Sequence, residues 1–84
     1  FNKLGLIELK VFQALNNLTE LFLQYNSLTK LPSKLFINSG KLITIRLNNN
    51  RLNYLEKDTF LGTENSLRLL DLRKNYLKSI ESYH

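Results

Sequence analysis

The sequence predicts an α/β solenoid: stacked coils with a parallel β-sheet along the concave side and loops or short helical turns along the convex side. Three observations carry this. The stretch Leu18–Leu31, LTELFLQYNSLTKL, recurs as LITIRLNNNRLNYL over Leu42–Leu55 and as LRLLDLRKNYLKSI over Leu67–Ile80. All three fit L-x-x-L-x-L-x-x-N-x-L-x-x-L, with Ile45 and Ile80 as the only apolar exchanges, and their first residues lie 24 and then 25 positions apart. Phe12, Phe36 and Phe60 follow at intervals of 24 in the segments between. A fixed period of this size marks one supersecondary unit per repeat, each burying its apolar face against its neighbours.

The repeat also sets the domain organisation. Asn2, Leu4 and Ile7 fit the end of the same motif, so residues 1–17 complete a partial repeat, followed by repeats 18–41, 42–66 and 67–84 of a single array over 1–84. About three repeats are the minimum for a stable stack. The chain starts and stops inside repeats and carries neither a polar nor a cysteine-rich cap. That pattern predicts an internal piece of a longer protein whose caps lie outside it.

Within each repeat the elements follow from local pattern. In 18–26 the inward leucines Leu21 and Leu23 alternate with Glu20, Phe22 and Gln24, the period of two of a half-buried strand. The segments 42–50 and 67–75 repeat it. Strands separated by one full coil run in the same direction, so the sheet is parallel. Parallel sheets covered on both faces read as continuous apolar runs; this one alternates, so one face is open to solvent. Asn2, Asn26, Asn50 and Asn75 hold one register position where the coil bends inward. A buried amide there has two donors and an acceptor for backbone groups stranded by the bend, which predicts an asparagine ladder. Phe12, Phe36 and Phe60 are expected to stack in a second column on the convex side. Leu31-Pro32 ends the strand-side turn where no N–H is needed. The stretches 37–40 and 61–66 are polar and glycine-containing and read as loops, the second longer by the residue that makes the 25-residue interval.

The motif with its phenylalanine, as in LTELFLQYNSLTKLPSKLF, resembles the 24-residue class of leucine-rich repeats typical of extracellular proteins and receptor ectodomains, over essentially the whole chain. The phrases LPSKLF and DTFLGTENSLRLLDL are similar to repeats of Toll and Toll-like receptor ectodomains, which bind ligands and dimerise to signal. The resemblance implies a leucine-rich repeat horseshoe. The family often has leucine three residues after the phenylalanine; Leu15 fits, whereas Ser39 and Thr63 depart, which predicts looser convex packing in those two coils.

Composition narrows the functional classes. The chain has no cysteine, one histidine (His84), and a net charge of +5 from lysines and arginines spread over every repeat. No Cys/His metal set can be built, Asp71, Glu20 and the serines lack a base partner, and the three isolated glycines form no phosphate loop. An enzyme is not expected, nor a cofactor or metal. No run approaches the roughly 20 apolar residues of a membrane span, so any membrane attachment would come through a segment absent from this chain.

The open face carries the candidate site. Register places Glu20, Thr44 and Leu69 in one column, Phe22, Arg46 and Asp71 in the next, and Gln24, Asn48 and Arg73 in a third. Strands about 4.8 Å apart make Arg46 and Asp71 an expected exposed ion pair. Aromatic residues and arginine are enriched at binding hot spots, which singles out Phe22 and Arg46, with Tyr25 and Leu69 beside them. The ligand-contact candidates are Phe22, Arg46, Asp71, Glu20, Gln24, Asn48, Arg73 and Tyr25. Mixed signs disfavour a nucleic-acid groove, which would be uniformly basic and salt-sensitive. Asn17-Leu18-Thr19 is an N-glycosylation sequon, consistent with an extracellular or cell-surface setting. The expected function is a protein-recognition scaffold in an innate-immune or developmental receptor ectodomain, binding a protein ligand or co-receptor, with homodimerisation through the parent ectodomain as a further expectation. The alternative is a secreted adhesion or complex-forming factor without signalling of its own.

Overall fold

The computed structural model describes residues 16–77. Three strands form one sheet in the order β1 (Glu20–Phe22), β2 (Thr44–Arg46), β3 (Leu69–Asp71), all neighbours parallel. The register pairs Glu20 with Thr44 and Leu69, Leu21 with Ile45 and Leu70, and Phe22 with Arg46 and Asp71. These are the rows that the spacing of the leucines predicts. Each strand is only three residues long, but the parallel ladder runs further. Ile43 N–H donates to Thr19 O (2.7 Å), Leu23 N–H to Arg46 O (2.9 Å) and Tyr25 N–H to Asn48 O (3.1 Å), with Leu47 to Asp71 and Asn49 to Arg73 repeating the pattern.

What ends each strand is a change of backbone hand. Tyr25, Asn49 and Lys74, the residues just before the repeated asparagines, all have φ of 61°. A left-handed residue turns the chain across the edge of the sheet and aims the next side chain inward. The conformation suits Asn49 and is strained for Tyr25 and Lys74. No sequence cue marks those two.

The inward asparagines then do what the pattern predicts. Asn50 Oδ1 accepts from Leu28 N–H of the preceding coil (3.1 Å), while Nδ2 donates to Leu23 O (3.0 Å) and Leu47 O (3.1 Å). Asn75 repeats this one coil later, accepting from Leu52 N–H (3.0 Å) and donating to Leu47 O (2.9 Å) and Leu72 O (3.0 Å). Asn26 donates to Leu23 O (2.9 Å). The ladder thus runs amide to backbone to amide, with Asn50 and Asn75 each joining its own coil to the one before. Asn2 lies outside the described residues.

Behind the sheet sits a continuous apolar core of Leu21, Leu28, Leu31, Leu35, Phe36, Leu42, Ile45, Leu47, Leu52, Leu55 and Phe60. Burial is most complete in the coil with a described neighbour on each side: Leu42, Ile45, Leu47 and Leu52 are fully enclosed, whereas Leu18, Leu23, Leu67, Leu70, Leu72 and Leu77 are partly covered. Repeats that bury surface only by stacking give this gradient. Phe36 and Phe60 stack with ring centroids 5.5 Å apart and planes 13° apart. Phe12 lies outside the described residues.

The return segments are chains of turns, and no helix occurs among the described residues. Three-residue backbone bonds (Ile37 to Lys34, Ser39 to Phe36, Leu61 to Asp58, Thr63 to Phe60) tighten them. Ser39 and Thr63 correct the expectation of loose packing. Both are buried, and the Thr63 hydroxyl donates to Phe60 O at 2.8 Å. A small side chain that satisfies a local carbonyl closes the turn without leucine's bulk. Gly62 has φ of +108°, and a Cβ there would press into Phe36 O and lie 2.8 Å from Ile37 O. The glycine of the longer loop therefore lets one coil sit against the backbone of the previous one. Ser33 Oγ donates to Asp58 Oδ1 (2.7 Å) and Lys34 N–H to Asp58 O (3.2 Å), joining the same two coils.

Candidate functional site

The sheet's outward face gathers Glu20, Phe22, Arg46 and Asp71, with Gln24, Asn48 and Arg73 in the row beyond the strand ends and Tyr25 at the bend. Its organisation follows from the middle row. Phe22 on β1 is 54% exposed, and the Arg46 guanidinium lies over its ring at 5.8 Å from the centroid. A cation over an aromatic face at an exposed site contributes about 0.5–1 kcal/mol, enough to bias where the guanidinium rests. Leu69, in the row that holds Thr44, is also exposed.

Asp71 differs from the expected exposed partner of Arg46. It is 8% exposed, and its main partner is Arg73 on the same strand face. Arg73 Nε donates to Oδ1 and Nη2 to Oδ2, both at 2.9 Å, and the Arg73 backbone N–H donates to Oδ1 at 3.1 Å. Arg46 Nη1 stands 3.6 Å from Oδ2. Residues two apart point to one face of a strand, and a planar fork can engage both carboxylate oxygens at once. The neighbouring strand can offer only a single, longer approach. The Arg73 fork, then its backbone N–H, hold the Asp71 carboxyl well below the usual range, at about 2. The carboxylate in turn raises the Arg73 guanidinium above its ordinary value.

The third row also departs from a fully solvent-facing picture. Asn48 is 9% exposed and its Nδ2 donates to Asn49 Oδ1 (2.9 Å). Asn48 Oδ1 and Gln24 Oε1 are buried without a hydrogen-bond partner among the described residues. Arg73 remains the exposed member of that row, and Glu20 and Tyr25 are exposed as expected. The structure thus brings Phe22, Arg46, Asp71 and Arg73 together as one cluster, with Glu20 and Leu69 at either side of the adjacent row, where Leu69 can extend the patch by an apolar contact. Leu69, in the outward row next to that of Phe22 and Arg46 though not one of the contact candidates, is exposed on the same face.

Asn17 sits at a turn before β1 and is exposed; its Oδ1 accepts from Lys41 Nζ at 3.1 Å. Lys41 is 24 positions further on, the equivalent site of the next coil. The carbonyl oxygen is therefore occupied while Nδ2, the nitrogen a glycan would take, makes none of these bonds. Among the described residues no group of three or more His, Cys, Asp or Glu side chains could hold a metal ion. No helix there is long and apolar enough to cross a membrane.

Comparison with known proteins bears on the repeat. No family model matches the chain, and no solved structure matches it. Over 60 residues it is 28% identical to leucine-rich repeat-containing protein 3B of Bos taurus, Mus musculus and Homo sapiens, a match covering 71% of this chain. The match covers 23% of each of those proteins. This distant, partial similarity supports a leucine-rich repeat protein, in keeping with the three-stranded parallel sheet.

Proposed function

We propose that this chain is a protein-recognition scaffold that takes a protein ligand on its open sheet face, as the concave wall of a longer horseshoe. In this reading it forms part of a cell-surface innate-immune or developmental receptor ectodomain of the Toll-like kind. The observation that carries the reading is the Phe22–Arg46 pair: an exposed aromatic ring with a guanidinium laid over it, flanked by Leu69, on a sheet whose other face is committed to the core. Such pairs are the residue types that dominate binding energies at interfaces. The exposed sequon at Asn17 supports an extracellular or cell-surface location. Receptor dimerisation would reside in the parent ectodomain, and membrane anchoring in a segment outside this chain.

The test is to pan a random dodecapeptide display library against the immobilised chain, with the Phe22→Ala/Arg46→Ala double variant as counter-target. Clones that bind the native chain and fail on the variant support recognition by this face. Clones that bind both equally, or no clones at all, refute it. Circular dichroism of the variant checks that the coils remain folded.

A further inference from the structure

Among the described residues, the Arg46 guanidinium of the open face has unused hydrogen-bonding capacity. A guanidinium offers five N–H donors in a planar fork. That of Arg73 is committed to both oxygens of Asp71. That of Arg46 is fixed in position by the Phe22 ring and attracted by Asp71 from 3.6 Å, yet it has no hydrogen-bond acceptor among the described residues. Its side chain is 39% exposed. Asp71 has accepted three bonds from Arg73 and is already neutralised. Two guanidiniums, Arg46 and Arg73, face this one carboxylate, while Glu20 stands one row back, in the row of Thr44 and Leu69. This corner of the face is net positive.

Resting on the recognition reading above, we infer that Arg46 anchors a carboxylate of the partner: the face takes an extended protein segment carrying Asp or Glu two positions from a large apolar side chain. The spacing follows from the sheet. Alternate residues of an extended segment lie about 7 Å apart on one side. One strand across and two residues along separates Arg46 from Leu69, about 8 Å from the same spacings. A carboxylate forked onto Arg46 therefore places its apolar neighbour on Leu69. An Arg–carboxylate fork supplies both strength and orientation. The mixture of two apolar side chains with one unengaged cation fits a peptide better than a phosphate backbone, which needs a run of cations.

The clones recovered by panning test this directly. Open-face clones are expected to be enriched in Asp or Glu two positions from Phe, Leu, Ile or Tyr. A synthetic peptide of the enriched sequence should bind about tenfold more weakly when its acid is changed to the amide, a measurement that leaves the protein untouched. Arg46→Gln should cause a comparable loss, and Arg46→Lys should restore only part of it, because an ammonium cannot fork. Open-face clones without acidic residues, or equal affinity for acid and amide peptides, would overturn the inference and leave the recognition reading standing. Competition by an oligothymidylate would also overturn it, assigning Arg46 to phosphate. Clones indifferent to the Phe22→Ala/Arg46→Ala variant would sink the recognition reading itself.

Discussion

Replacing Asn50 with alanine isolates what the asparagine column does. The two carbonyls that Asn50 serves at 3.0–3.1 Å each have a second donor. Leu23 O also accepts from Asn26 Nδ2, and Leu47 O from Asn75 Nδ2. Leu28 N–H has only Asn50 Oδ1, and Leu28 is fully enclosed. The variant therefore strands one buried donor outright and weakens two shared acceptors. An orphaned buried group costs about 1–3 kcal/mol, and a net hydrogen bond contributes about 0.5–1.5 kcal/mol. The expected loss is about 2–3 kcal/mol, against a total stability on the order of 4–12 kcal/mol for a chain of this length.

Asn50→Asp sharpens the test. It keeps the acceptor for Leu28 but turns a second oxygen onto the two carbonyls, so at pH 7 it should cost more than alanine by at least about 1 kcal/mol. That carboxyl would have a raised folded pKa, so its penalty should shrink as the pH falls toward 4. Urea unfolding followed by circular dichroism measures all three proteins, and amide exchange at Leu28 reports the stranded N–H. An alanine variant within about 0.5 kcal/mol of wild type, or equal losses for alanine and aspartate, would refute the claim that the ladder works through donor direction.

Three further outcomes follow from the same coordinates. Gly62→Ala meets both a positive φ and the backbone of the preceding coil, so it should cost about 2 kcal/mol or more; an unchanged melting temperature would contradict the close approach. Asp71, held at about 2 by Arg73, should add stability that is complete above its unfolded value near pH 4 and is lost as the pH falls through about 2. Asp71→Asn should flatten that limb of the urea-midpoint profile, and an unaltered profile would mean the pairing does not persist in solution. Secretion from a eukaryotic host should add a glycan mass that N-glycosidase removes and Asn17→Gln abolishes; a secreted chain of unmodified mass would count against Asn17 as an acceptor.

The inside of this molecule was legible because every inward position repeats. Leu21, Ile45 and Leu70 face one another because the leucine spacing permits no other register, and the same counting placed Asn26, Asn50 and Asn75 in a column. The outside was legible only as a set of rows. Register says that Arg46 neighbours Asp71, but the choice of Arg73 as partner depends on reach along one strand and on a backbone N–H freed where the ladder ends. The left-handed turn was hidden for a different reason. Tyr25 and Lys74 adopt it under tertiary constraint, with only Asn49 bearing a residue type that favours it. Gly62 could have been singled out: it is the glycine of the one interval that is a residue longer, where neighbouring coils must pass closest.

The two kinds of position also make stability and recognition separable. Each coil satisfies its backbone through inward groups, so Phe22 and Arg46 have no structural duty beyond touching each other. Asp71 is the exception, an outward residue drawn into a structural pair, and that pairing is what leaves Arg46 with a 3.6 Å ion-pair approach and no hydrogen bond among the described residues. It follows that Asn50→Ala and Gly62→Ala should weaken peptide capture only to the extent that they unfold the chain, and saturating osmolyte should restore it. Phe22→Ala and Arg46→Gln should leave the unfolding midpoint close to wild type while weakening capture, by about tenfold for Arg46→Gln, with no rescue by osmolyte. If the two classes behaved alike, the open face would be part of the stack's stability rather than a surface held free by it, and the assignment of Arg46 to a partner's carboxylate would lose its premise.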